Sequence, residues 1–335
     1  FAIVIVVPPL LFFQVVYDPH WYSSNFLSSD WVIVFIIILI FAYWSMYGYY
    51  FLNSKTKDKT EQPKGRFWML ISISLMLVVG FIMHSLTSQI LHPDLWKEWY
   101  VQNGVMDYSG SQLHAYNLWR FAFFISMAIP VTGAMLVTYR RFKRVREDAD
   151  QDYLDWAAKI GQKWILVGSV ISFVLYSAWM MTIQETAGDF ATSIWGILGG
   201  VAVILPAIWS VLRLRGKSYN MCSYMALPIA LVAGLIVAIV REMLRYGILD
   251  GFFGYDFMDY KVVMDWYSTG LFFLTFAVVG GSVLAYFLTV AWQAGQTVGV
   301  YTPSPFVNRL GTIAIWVVAI WTLQFFVVGF YVWAQ

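Results

Sequence analysis

The chain has 335 residues, 60% of them hydrophobic and 12% charged, and a net charge of +2. A soluble domain carries about 25% charged residues, so this composition excludes a soluble globular protein, and so slight a net charge gives no ground for a nucleic-acid partner. The single cysteine, Cys222, excludes an internal disulfide, a Cys-ligated iron–sulfur cluster and a CxxCH-attached covalent haem in this chain.

In chain order the apolar runs are 1–16, 31–52, 67–90, 118–138, 164–183, 190–212, 221–244, 267–292 and 311–333. Most reach about 20 residues, the length that crosses the hydrocarbon core. They predict an all-α protein, a polytopic transmembrane helical bundle of about nine spanning helices, with 1–335 forming a single integral membrane domain. Residue 1 lies inside an apolar run with no charged flank, so the true N-terminus is expected to lie upstream and no signal peptide is read from it. Pro130, Pro206 and Pro228 are expected to interrupt their helices. Gly199-Gly200 and Gly280-Gly281 are expected to allow close helix packing.

The connecting segments divide by charge. Segments 53–66, 139–163, 213–220 and 293–310 hold sixteen of the 21 Lys and Arg residues, Lys55, Arg140 and Arg215 among them. The opposite side holds five (Lys97, Arg120, Arg241, Arg245, Lys261) and 12 of the 19 acids. Basic loops are retained in the cytoplasm, so the acidic face is expected to lie outside. Within 140–163, Leu154, Ala157 and Ala158 recur at helical spacing after a charged stretch. This fits either a short amphipathic helix on the membrane surface or a solvated loop. On the outer side, 91–117 and 245–266 are rich in Trp, Tyr, Asp and Gly. Such aromatic loops are expected to be ordered and to cover a site or meet a partner.

All four histidines fall on that outer side: His20, His84, His92 and His114. His84 lies inside the third run, and His114 precedes the fourth by a few residues. Arg241 and Arg245 share a helix face with Glu242 beside them, and Glu185 follows the fifth run. Charged groups at membrane depth cost several kcal/mol unless paired or facing a polar cavity. Three arrangements fit His84, His114, Arg120, Glu185, Arg241, Glu242 and Arg245. They can be interfacial ion pairs that fix helix register. They can form a quinol site, with His84 or His114 taking a proton, Glu185 or Glu242 relaying it, and Arg120, Arg241 and Arg245 binding the headgroup. Or His84 and His114 can ligate a b-type haem; no other metal site is read from the sequence. The cytoplasmic half of the spans carries almost no ionisable side chain, which favours one-sided chemistry over an ion-coupled transporter.

Three patches carry a resemblance: Ser88-Gln89-Ile90-Leu91-His92-Pro93-Asp94-Leu95-Trp96, then Leu113-His114 with Arg120-Phe121, then Val240-Arg241-Glu242-Met243-Leu244-Arg245-Tyr246. Together they resemble bacterial multi-pass membrane subunits that accompany periplasmic multihaem c-type cytochromes. More loosely, the plan is similar to quinol-interacting anchors of the polysulfide-reductase (NrfD-like) type, bundles of eight to ten helices with a quinone site near the periplasmic face. The resemblance implies a bacterial inner-membrane subunit of a respiratory complex, a quinol oxidoreductase component with quinone as its substrate. Its implied partners are a periplasmic c-type cytochrome or other redox subunit, further membrane subunits, and lipid. The competing expectation is a multi-pass transporter or a structural anchor of a larger complex.

Overall fold

The computed structural model describes residues 18–54, 64–213, 221–256 and 265–334. The run 1–16, with Lys55, Arg215, Asp259 and Lys261, lies outside the described residues. In order the elements are α1 (Asp18–Phe26), α2 (Ser29–Asn53), α3 (Arg66–Gln89), α4 (Trp96–Tyr100), β1 (Val101–Gln102), β2 (Val105–Met106), α5 (Leu118–Ser126) and α6 (Ala128–Lys143). They continue with α7 (Gln151–Met181), α8 (Ile194–Arg213), α9 (Ala226–Tyr246), α10 (Trp266–Leu274), α11 (Gly281–Gln296) and α12 (Pro305–Trp333). Among the described residues, eight stretches are long and apolar enough to cross a membrane. The chain is an all-α, multi-pass membrane protein.

Local chemistry sets the helix starts. Asn117 caps α5, its side chain accepting from the Arg120 backbone N–H at 2.9 Å. Ser304 caps α12, with Pro305 in the first turn, where its missing N–H costs nothing. Pro228 likewise falls in the first turn of α9 and so starts a helix instead of interrupting one. Pro206 sits inside α8, and Pro130 follows the break at Met127 that divides the span Leu118–Lys143 into α5 and α6.

Two further expectations are corrected. Residues 151–163 form neither a surface helix nor a loop. They are the first turns of α7, which runs unbroken for 31 residues because no proline interrupts it. At 1.5 Å per residue that helix is about 46 Å long, so it extends past an about 30 Å hydrocarbon core. The segment 245–266 starts as helix, not loop: α9 continues to Tyr246 and a π-turn follows over Gly247–Phe252, held by the buried Ile248 and Leu249.

The chain falls into two compact units. The first draws on Phe1–Ala128, Val170–Ile204 and Gly234–Asp259. Phe123, Tyr176, Trp179, Val203, Val240 and Leu249 lie in its buried core. Gly199 is required there, since a Cβ would come within 2.8 Å of the Tyr176 ring. Helices α2 and α3 pack as a hairpin, and Ile40, Trp44 and Phe51 of α2 remain exposed, as a lipid-facing surface requires.

The second unit draws on Ile129–Ser169, Leu205–Ala233 and Tyr260–Gln335. Its core comprises Ala134, Val137, Ile165, Ala226 and Ala230. Helices α6 and α7 cross at Gly133 and Gly161, where a Cβ on Gly133 would sit 2.5 Å from the Gly161 carbonyl oxygen. Arg140 donates to Asp155 at 2.6 Å and Lys143 to the Gly295 carbonyl at 3.1 Å. Gly280 and Gly281 do not serve packing, because a side chain there would meet open space.

Candidate functional site

The site belongs to the first unit and is built on the C-terminal end of α3. Gln89 is fully buried at the last turn. Its Oε1 accepts from Ser28 Oγ (2.9 Å) and from the His114 backbone N–H (3.1 Å), and its Nε2 donates to the Ser24 carbonyl (2.7 Å). The Ser85 hydroxyl donates to the His114 carbonyl, and Trp96 Nε1 donates to the Gln89 carbonyl at 2.9 Å. One helix end thus holds α1 and the segment leading to α5. The turn before His114 needs glycine: Gly110 has φ +60°, and a Cβ would come 2.7 Å from the Ser29 nitrogen.

Beside this network lies a cavity of about 240 Å³, somewhat smaller than the roughly 300–1,000 Å³ of most small-molecule pockets. Its polar wall is formed by Ser88, His92, Asn117, Arg120, Thr182 and Gln184, its apolar wall by Leu91, Trp179, Ile183, Leu244 and Ile248. Arg120 is buried, at 7% exposure. Its Nη1 donates to Ser88 Oγ, which in turn donates to the His84 carbonyl at 2.7 Å. The guanidinium lies 5.8 Å from the Phe124 ring and 5.9 Å from Trp179.

The electrostatics of Arg120 are unusual. It forms no ion pair with a carboxylate among the described residues. It occupies the third position of α5, where the unsatisfied N–H groups already carry partial positive charge. Arg241 and Arg245 lie within Coulombic reach, and Glu242 is the one nearby acid that offsets them. Glu242 is itself engaged, accepting from Arg241 Nη2 at 2.7 Å and Arg245 Nη1 at 2.6 Å. The cavity wall therefore carries an excess of positive charge facing a small, partly apolar space.

The residues singled out from sequence separate into groups. Arg120 lines the cavity; Arg241, Glu242 and Arg245 sit near it without lining it, while Leu244 and Ile248 of the same chain segment do. His84 is one hydrogen bond behind: its Nε2 accepts from the Asn117 backbone N–H at 3.1 Å, and Asn117 lines the cavity. His114 is outside the lining, its ring stacked on Trp99 at 4.6 Å and 8°. Burial holds the His114 imidazole below the ordinary histidine pKa, against the opposing pull of Asp107. Glu185 is exposed at the start of a 3-10 helix (Glu185–Thr192) and does not reach the cavity.

Bis-histidine haem ligation does not fit this arrangement. The His84 Nε2 lone pair is committed to the Asn117 amide, and the His114 ring lies flat against an indole. Among the described residues no three His, Cys, Asp or Glu side chains converge as metal ligands. What the site can do is grip an oxygen-bearing headgroup from a cation and several neutral hydrogen-bonding groups, with an apolar wall alongside.

Asn117, Thr182, Gln184 and Trp179 were not expected as site residues, and Ser88 and His92 entered only through the first resemblance patch and, for His92, as one of the outer histidines. Asn117 carried a usable signal, since an Asn immediately before an apolar run is a helix N-cap and so fixes where Arg120 points. Thr182 and Gln184 carried none, being single polar residues at a helix end. No protein-family model matches the chain, and neither a curated protein nor a solved structure matches it.

Proposed function

We propose that this protein is the membrane subunit of a respiratory electron-transfer complex. It binds a quinol headgroup in the Arg120 cavity near the outer face and exchanges electrons between the quinone pool and a periplasmic redox partner such as a c-type cytochrome. The observation that carries the reading is the buried, cavity-lining Arg120, which has no carboxylate partner among the described residues. A buried cation at a helix N-terminus wants an acceptor with developing negative charge, and a quinone carbonyl is such a group. Leu91, Ile183, Leu244 and Ile248 supply the apolar side that a lipophilic ring requires. The excess of Lys and Arg in the opposite loops supports an outward-facing site, and the three sequence patches support the bacterial inner membrane.

The anchor reading has its own support in the closed Gln89 network, which ties the loop to α1 and α3 without any ligand. Arg120→Gln separates the two. With the complex purified in detergent, isothermal titration with decylubiquinone and menadione should show binding weakened roughly tenfold to hundredfold, from about 1–3 kcal/mol for a lost buried polar partner. Assembly should survive, because Ser88 keeps its bond to the His84 carbonyl. Unchanged affinity in the variant, or no quinone binding by the wild type, would remove the quinol reading.

A further inference from the structure

We infer that His92, with Asp94 as its outlet, takes the proton released by the headgroup bound in the cavity; the inference rests on that cavity being the quinol site. Of the four outer-side histidines, only His92 lines the cavity; His20 packs instead against Trp96 and Tyr255. His84 has its Nε2 occupied by the Asn117 amide, and the His114 ring is stacked outside the lining on Trp99. His92 sits half-buried and Asp94, two residues on, is exposed, so one short turn leads from cavity to solvent.

That turn is held by its own backbone. The His92 N–H donates to the Gln89 carbonyl at 3.2 Å, and the His92 carbonyl accepts from Leu95 at 3.1 Å. Gln184 Nε2 donates to the Leu91 carbonyl at 3.1 Å, fixing the residue before it. The His92 ring lies 6.1 Å from Trp99. A base on a fixed turn can be placed repeatably against a bound hydroxyl, as proton transfer requires.

The charged groups facing His92 are Asp94 on its own loop and Arg120 on α5. Burial, the largest influence, and Arg120 both lower its pKa from 6.5, while Asp94 raises it. His92 is therefore neutral at pH 7 and able to accept. Oxidation of a quinol breaks two O–H bonds and releases two electrons and two protons. The electrons leave singly to oxidised one-electron centres of the ferric-haem class on the partner, each becoming ferrous. Each proton passes to the His92 imidazole nitrogen and on to Asp94 and solvent before the next arrives. In quinone reduction the same nitrogen returns the proton.

The test follows quinol oxidation by the purified complex with decylubiquinol and menadiol as donors and ferricyanide as acceptor, over pH 5–9. Since the neutral imidazole is the base, the wild-type rate should rise with pH through an acid limb below 6.5. His92→Gln should lower kcat about a hundredfold, within the range for a lost general base, and erase that limb. Its affinity for the oxidised quinones should fall by much less than its kcat, since Gln still offers a hydrogen-bonding group to the cavity. Asp94→Asn, removing the group that favours imidazolium, should move the limb to lower pH. Wild-type kcat with an intact acid limb in His92→Gln would overturn the assignment, while the cavity reading would stand if Arg120→Gln still weakens quinone binding. Failure of Arg120→Gln to weaken binding would overturn both.

Discussion

Replacing Gln89 by Met preserves side-chain length and volume while deleting three hydrogen bonds, and the structure tells how much each should matter. Ser28 loses least, because its hydroxyl has a second acceptor in the Gln112 carbonyl at 2.6 Å. The Ser24 carbonyl and the His114 N–H lose their Gln89 partners outright. Each buried group left unsatisfied costs about 1–3 kcal/mol, so the variant should be destabilised by roughly 2–6 kcal/mol. The loss should appear locally, as the segment before α5 coming away from α3. Even the lower figure corresponds to about thirtyfold in an opening equilibrium. Hydrogen exchange in detergent should therefore show the amides of residues 107–117 exchanging at least that much faster, with α6 and α7 unaffected. On the proposed function, quinone affinity should fall as well, because the same segment carries the Asn117 cap that places Arg120. Native exchange rates at 107–117 in Gln89→Met would refute the claim that this network holds the site in place.

Two other outcomes are expected. In a Cys222→Ser background, single cysteines at Gln102 and Glu147 should label from opposite sides of sealed membrane vesicles, and labelling of both from one side would overturn the charge-derived orientation. Ala115, which lines the cavity, has φ +52°, a conformation that is costly for a residue with a Cβ and most so for a β-branched one. Ala115→Val should lower thermal stability by roughly 1–3 kcal/mol whereas Ala115→Gly should not. Equal melting temperatures for the two variants would show that this backbone carries no strain.

The spans were legible because twenty-residue apolar length is a property of sequence alone, and each described run from 31–52 onward recurs as a spanning stretch. Boundaries were less so. The polar opening of α7 read as a surface element because Asp152, Asp155 and Lys159 interrupt the apolar count, yet hydrogen bonding along the helix does not depend on that count. Pro228 read as a helix interruption where it is a helix start, because the benefit of a proline in the first turn depends on where the helix begins. Of the site, the sequence disclosed that ionisable groups gather at one end of the spans. It did not disclose which of them face inward. His84, Arg120 and His114 stand close together in the chain's outer segments, but their roles diverge through contacts with Asn117, Ser88 and Trp99, which no spacing rule encodes.

That divergence bears on mechanism. A cation buried near hydrocarbon is tolerated where a carboxylate neutralises it or where polar groups and a cavity solvate it. Arg241 and Arg245 take the first route through Glu242. Arg120, on α5, takes the second, leaning on Ser88 and two aromatic faces. Supplying Arg120 with its own carboxylate, for example by Ser88→Asp, would compensate the charge and leave the cavity with no excess of positive potential. A purely structural arginine would gain from that compensation, whereas one that receives an electron-rich headgroup would lose its ligand. Among the described residues no acid pairs with Arg120, the buried cation that lines the cavity, and the proposed quinol site calls for that arrangement because the compensating charge would develop on the substrate.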